Sequence, residues 1–239
     1  MGVKRFWSEA TVAPETGGYA VLLDGRPMRV PGGAALVLPG PALAAAVAEE
    51  WQAAGGAKGG EMSFDDVPLT RLAGTAQERI VPDPAPVVEA LAKYGESDLL
   101  CYRAERPAAL VARQARAWQP WLDWAARTHG ARLRVVTGVM HVAQDAEALE
   151  ALRRAVAAQS APVLAGLGVA VPALGSLVLG LALAEGALDA GMAHELASLD
   201  ELFQAEQWGE DAEAVARRER IAEDLALAER FMRLSRGLP

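Results

Sequence analysis

The stretch Val81-Pro82-Asp83-Pro84-Ala85-Pro86 divides the chain into two parts of different character. Three prolines within five residues are incompatible with a regular helix or a central strand. The sequence before this stretch contains short β-prone runs and turn signals, whereas the sequence after it is almost entirely helical in its apolar spacing. We therefore predict an α+β fold, in which a β-rich N-terminal domain with antiparallel strands (1–82) is followed by a mainly α-helical C-terminal domain (83–239).

The N-terminal part is predicted to begin with strands and to continue with helices. Tyr19–Leu23 is apolar and β-prone, and Asp24-Gly25 is a strong signal for a hairpin turn. A proline near the first turn predicts one helix from Pro41 and a second from Pro68.

The C-terminal part is predicted to be a set of packed helices. A helix that follows Pro107 is expected to be kinked or split at Pro120. The stretch 155–184 carries no charged side chain, and Pro172 is expected to split it into two buried helices. A membrane span is the alternative for this stretch, but each piece is short for a bilayer. The last element is predicted to be a long amphipathic helix over 210–234.

The stretch Leu199–Glu213, LDELFQAEQWGEDAE, contains six acidic residues and neither lysine nor arginine. Leu199 and Phe203 continue an apolar spacing that suits docking on a core. Glu201 and Trp208 are seven residues apart, so they can share a different face of the same helix. An acid and a tryptophan on one exposed face suggest a binding surface, because tryptophan is a frequent anchor at interfaces.

The charge of the chain is concentrated around this stretch. Nine acids and no base lie between Arg154 and Arg217, whereas the net charge of the whole chain is −8. A field of one sign suits a basic partner. The alternative is a solvated acidic surface that keeps the protein soluble. The acidic balance also argues against a nucleic-acid partner, whose phosphates require a basic face.

No residue pattern for catalysis, metal or cofactor binding is found. A single cysteine, Cys101, excludes an internal disulfide, and the three histidines lack the paired spacing of a metal site. No glycine-rich phosphate loop is present. We therefore expect no catalytic residue, no metal and no cofactor, and a protein that is not an enzyme. One alternative is a small-molecule hydrolase that uses the acidic cluster around Glu201 and Asp211.

The chain contains several short motifs whose order and spacing together are specific and which extend over most of its length. They are Lys4–Trp7, Leu23–Pro27, Glu50-Trp51, Pro68–Leu72, Tyr94–Arg103, Gly175–Leu179, Asp200-Glu201 and Gln204–Asp211. In these motifs the chain resembles the ATP synthase assembly chaperone family that is specific for the alpha subunit of the catalytic sector. It departs from the family pattern at the loop Gly55–Gly60 and at Gly74–Arg79.

The resemblance implies a chaperone that holds the unassembled alpha subunit until a beta subunit takes its place. We predict that its binding surface, called here the acidic face, meets a basic patch on alpha. The acidic face consists of Glu201, Gln204, Glu206, Trp208, Glu210 and Asp211.

The sequence also gives expectations for assembly and location. We expect a monomer that binds no nucleic acid and has no stable membrane insertion, although docking to a membrane through the uncharged stretch is a competing hypothesis. The N-terminal sequence has neither the apolar region of a secretory signal nor a long presequence. We therefore expect a cytoplasmic protein in bacteria, with eukaryotic relatives in the mitochondrial matrix.

Overall fold

The computed structural model describes residues 3–138 and 140–238, and the chain divides into two compact units. Unit 1 comprises the residues up to Pro84, Ser160–Gly166 and the residues from Arg230 onward. Unit 2 comprises Ala85–Gln159 and Leu167–Glu229. The predicted α+β class is confirmed, since antiparallel strands near the N-terminus are followed by helices. The domain bounds predicted from the sequence, 1–82 and 83–239, remain a proposal.

The strands are short, and most of them lie near the N-terminus. They are β1 (Val3–Lys4), β2 (Ala10–Glu15), β3 (Gly18–Leu23), β4 (Arg26–Pro27), β5 (Val37–Leu38), β6 (Glu61–Met62), β7 (Tyr102–Arg103) and β8 (Val136–Thr137). In the largest sheet β3 is central, with β2 on one side and β4 and β5 as its other antiparallel partners. The predicted hairpin turn is confirmed: Asp24 and Gly25 have φ of 47° and 79°, a conformation typical of a tight two-residue turn.

The helices account for most of the remaining chain. They are α1 (Pro41–Ala53), α2 (Pro68–Thr75), α3 (Ala85–Ala92), α4 (Ala108–His129), α5 (Ala146–Ala157), α6 (Ala161–Leu174), α7 (Leu177–Ala184), α8 (Ala190–Ala197), α9 (Leu199–Trp208) and α10 (Ala212–Ser235). A single π turn, Ala76–Ile80, extends α2. One-turn 3₁₀ segments at Phe64–Asp66, Lys93–Ser97 and Leu99–Cys101 complete the connections.

The core of unit 1 is organised around a buried tryptophan and a buried arginine. Trp7 packs on Trp51 with ring centroids 4.9 Å apart and donates its indole N–H to the Trp51 carbonyl. The Arg5 guanidinium is buried, and it is satisfied by backbone carbonyls, among them those of Gln52 at 2.8 Å and Gly56 at 2.7 Å. These hydrogen bonds hold the glycine-rich loop that follows α1 against the N-terminal strand.

The core of unit 2 is built around α7, which lies in the uncharged stretch. Every residue of α7 is buried, and α7 packs against α4, α5 and α8. The prediction of buried helices in this stretch is therefore confirmed. None of the helices in the described residues is long and apolar enough to cross a membrane.

The break in the uncharged stretch does not lie at Pro172, as the sequence predicted. Pro172 is exposed and belongs to the last turn of α6, so the break comes at Gly175-Ser176. Gly175 has φ of 62°, which ends the helix, and the Ser176 hydroxyl accepts a hydrogen bond from the Leu179 N–H to begin α7.

Two other prolines also lie within helices, at positions where the sequence predicted a kink, a split or a break. Pro120 lies inside α4, which continues through it and is not split. Its ring is exposed, so the carbonyl that loses its donor can bond to water, while Trp118 and Leu122 anchor the helix on the core. Pro86 lies in the first turn of α3, where a missing N–H leaves no hydrogen bond unmade.

A fully buried carboxylate fixes the start of α7. Asp98 accepts hydrogen bonds from the Ser176 hydroxyl at 2.8 Å, from the Val178 N–H at 3.0 Å and from the Leu100 N–H at 3.1 Å. Burial raises the pKa of this carboxyl, and the three donors oppose that shift. Asp98 therefore joins the turn after α3 to the most buried helix of unit 2.

Replacing Asp98 with alanine is expected to lower the free energy of unfolding by about 3 kcal/mol, because several buried donors would lose their acceptor. Guanidinium denaturation followed by circular dichroism measures this loss. The control is Asp123→Ala, which removes an exposed carboxylate bonded to the Gln119 amide and should change stability by at most about 0.5 kcal/mol. Equal losses for the two variants would contradict the role of Asp98.

Candidate functional site

Helix α9 carries the first part of the acidic face and is held by the apolar side chains that the sequence singled out. Leu199 and Phe203 are buried, as is Leu196 in the preceding helix α8. Helix α9 packs against α4 and α8 and ends at Gly209, whose φ is 89° and whose N–H bonds to the Ala205 carbonyl. The apolar face of the predicted helix is confirmed, and the acidic residues lie away from it.

The structure brings arginines of helix α10 to the carboxylates of the acidic face. Glu201 lies 2.8 Å from Arg217 and 3.8 Å from Arg218, and Arg218 also reaches Glu210 at 3.4 Å. The Arg218 side chain is buried, so it links these two carboxylates from beneath. The sequence predicted a field of one sign here, whereas the structure shows carboxylates with basic partners.

Glu206 has a partner on another helix. One Arg113 nitrogen on α4 lies 2.7 and 2.8 Å from the two Glu206 carboxylate oxygens. The pair is partly exposed, and such pairs contribute at most about 1 kcal/mol. The contact orients the carboxylate without removing it from solvent.

The remaining members of the acidic face differ in their environments. Asp211 accepts a hydrogen bond from the Ala214 N–H, so it caps the N-terminus of α10. Gln204 is exposed. Trp208 at the end of α9 leaves 80% of its surface exposed, an unusual state for the largest apolar side chain.

A cleft of about 410 Å³ lies at the start of α9. Its walls include Tyr102, Arg103, Gln114 and Asp200. Gln114 donates to an Asp200 carboxylate oxygen at 2.8 Å, and the Arg103 guanidinium donates to the Gln114 carbonyl at 2.6 Å. Asp200 is thus held by Gln114 of α4, whose backbone is in turn fixed by Arg103 of β7.

Arg103 is the most constrained group of this cleft. Its guanidinium carbon lies 5.2 Å from the centre of the Trp118 ring, a cation–π contact. Burial lowers the pKa of Arg103, and the nearby Cys101 and Asp200 oppose the shift.

Sequence reasoning missed the residues that support the acidic face. Arg113 is 93 residues from Glu206, and no local pattern connects them. In the sequence, Arg217 and Arg218 only mark the end of the acidic run. The predicted C-terminal helix that contains them is the one signal that could place them near α9.

The structure offers little to a catalytic interpretation. Cys101 is buried, and burial together with the Asp98 charge raises its pKa to about 12. Among the described side chains, no group of three or more histidine, cysteine, aspartate or glutamate residues is placed to hold a metal ion.

Comparison with known proteins gives consistent matches. The family described as ATP12 chaperone protein matches residues 4–126. The crystal structure of Atp12 from Paracoccus denitrificans is 45% identical, with a TM-score of 0.91, over 97% of this chain and 98% of that chain. A point mutant of P. denitrificans Atp12p, in which lysine replaces an aspartate, is 44% identical with the same TM-score over 97% of each chain. A protein from Agrobacterium tumefaciens is 42% identical, with a TM-score of 0.89, over 97% of this chain and 85% of that chain.

Cys101 is expected to be unreactive toward Ellman's reagent in the native protein at pH 8 and to react after denaturation, because only the thiolate is nucleophilic. Its folded pKa lies above the ordinary value of 9.0. The unfolded chain therefore loses this proton first, and the contribution of the thiol to stability falls as pH rises from 9 toward 12. Rapid reaction of the native protein at pH 8 would contradict this.

Proposed function

We propose, because this chain belongs to the ATP12 family of ATP synthase assembly chaperones, that it binds the unassembled alpha subunit of the catalytic sector and holds it for assembly with beta. The observation that carries the alpha-binding proposal is the acidic face, where Trp208 is exposed two residues from Glu206 in the chain and the carboxylates of Glu201 and Glu206 remain partly in solvent. We further propose that the protein acts as a monomer in the bacterial cytoplasm.

The chemistry of the acidic face suits a polypeptide that must be held and then released. An unassembled subunit exposes apolar surface that promotes aggregation. Trp208 can cover part of such a surface, and the carboxylates of Glu201 and Glu206 can attract basic side chains around it. Charges mainly speed the encounter, so the complex can form rapidly without becoming permanent.

Binding without catalysis is the function that these contacts support. The hydrolase alternative depends on Glu201 and Asp211 as paired carboxylates. Glu201 is engaged by Arg217 and Arg218, and Asp211 caps α10. Each carboxylate thus has a structural partner, and neither is directed at the other by a shared hydrogen bond.

The first experiment is co-purification of the full-length protein with separately expressed alpha and beta subunits at low and moderate salt. We expect retention of alpha and not of beta, with weaker retention at moderate salt, because exposed charges are screened. Equal retention of alpha at low and moderate salt would place the contact on apolar surface and contradict the acidic-face mechanism. Retention of neither subunit would contradict the alpha-binding function.

Replacing Glu201 with glutamine is expected to weaken retention of alpha about fivefold, because one charge of the acidic face is lost. Glu150→Gln is the matched control, since Glu150 also pairs with arginines and the two side chains are 45% and 43% exposed. Each substitution should change stability by at most about 1 kcal/mol. Isothermal titration calorimetry with purified alpha measures the affinities.

The exchange Glu201→Arg with Arg217→Glu separates a structural role from a binding role. It keeps an ion pair between α9 and α10 while reversing the positions of the two charges, and Arg218→Gln is added because Arg218 lies 3.8 Å from Glu201 and would repel the new arginine. If Glu201 serves only the fold, the exchanged protein binds alpha as well as the wild type does, which would contradict the proposed site. If Glu201 contacts alpha, the exchanged protein binds alpha more weakly than the wild type although its fold is intact.

A further inference from the structure

Unit 1 contains a groove of about 550 Å³ whose lining is mainly apolar. Buried Met28, Val30 and Leu36 form its floor, and Trp51 and Phe64 form its walls. Phe64 leaves 54% of its surface exposed, although it lies beside an apolar site. The volume is within the range of sites that take ligands or anchor side chains.

The two aromatic walls are held in place by hydrogen bonds. The Trp51 indole N–H donates to the Thr70 hydroxyl at 2.8 Å, and that hydroxyl donates to Glu50 at 3.1 Å. The one-turn helix that carries Phe64 is closed by a capping box between Ser63 and Asp66. The groove therefore exists before any partner arrives, so binding orders few side chains.

The rim of the groove is basic in a protein whose net charge is −8. Arg29, Arg71 and Arg79 line it together with a single acid, Glu78, and Arg71 is paired at 2.8 Å with Asp65, the neighbour of Phe64. Glu78 accepts a hydrogen bond from the Gly32 N–H at 2.6 Å and is thereby turned to the neighbouring loop. Arg79 forms no ion pair with any residue that the structure describes, so its charge remains available to a partner.

We propose that this groove is a second binding site, which takes an apolar side chain flanked by carboxylates on a segment of the bound polypeptide. The charge of the rim selects acidic neighbours, and the floor and walls select an aromatic or large aliphatic side chain. Its composition of tryptophan, phenylalanine, methionine and arginine is the one enriched at the energetic centres of protein interfaces.

This site has the opposite charge preference to the acidic face. It rests on the chaperone function only in that the segment belongs to the bound polypeptide, and it does not depend on the basic patch proposed for alpha. A partner that presents both chemistries would be recognised at two independent places, which raises selectivity over single-site binders.

The test uses the full-length protein and fluorescein-labelled synthetic peptides. One peptide carries a central phenylalanine among glutamates, the second replaces the glutamates with lysines, and the third replaces the phenylalanine with serine. Fluorescence anisotropy should show binding of the first peptide, with the other two at least about tenfold weaker. In the NMR spectrum of the wild-type protein, the resonance of the Trp51 indole N–H should shift when the first peptide is added without its fluorescein label.

A variant pair locates the binding to the groove. Phe64→Ser with Arg79→Gln should weaken the first peptide about tenfold. The matched control is Val12→Ser with Arg26→Gln, which removes an exposed apolar side chain and an exposed arginine of the same unit outside the groove, and it should change affinity less than about twofold.

Several outcomes would overturn the groove site: equal binding of the lysine peptide, equal effects of the two variant pairs, or an unchanged Trp51 resonance at saturation. Retention of alpha is a separate measurement. A wild-type protein that binds the glutamate peptide but not alpha would refute the alpha-binding function alone. One that retains alpha but not the peptide would refute the groove alone.

Discussion

The position of the acidic face depends on one buried carboxylate, Asp98. A buried charge is strongly destabilising unless donors surround it, and Asp98 has them in Ser176, Val178 and Leu100. These hydrogen bonds fix α7 against the segment that leads into β7. Strand β7 carries Arg103, and the contacts from Arg103 through Gln114 to Asp200 then set the start of α9. The surface proposed to bind the alpha subunit is thus placed by a residue without solvent contact.

The sequence predicted those features that depend on local chemistry or on periodicity. The Asp24-Gly25 turn, the apolar face of α9 and the buried uncharged stretch belong to this class. The sequence was wrong at Pro172, because a proline in the last turn of a helix can be tolerated and Gly175 is the residue that ends α6. It also could not find Arg113 beside Glu206, since that contact depends on the packing of two helices.

Linear charge and spatial charge differ at the acidic face. In the linear sequence nine acids lie between Glu185 and Glu213 without a lysine or arginine, whereas the folded chain inserts Arg113, Arg217 and Arg218 among the acids. The carboxylates of the acidic face are still partly in solvent, so its surface remains acidic, but its negative charge is smaller than the sequence suggests. The basic rim of the groove in unit 1 is the complementary case, since it lies within a part of the chain that has no basic run.

The arginines on the acidic face mean that binding of a basic side chain there exchanges one ion pair for another. A basic side chain that arrives at Glu201 must replace Arg217, so the free energy of binding is the difference between two similar contacts and not the full strength of one. Such an exchange is close to balanced in both directions. Under the proposed function, a bound subunit can leave such a surface when a tighter partner takes its place, because each ion pair that breaks is replaced by another.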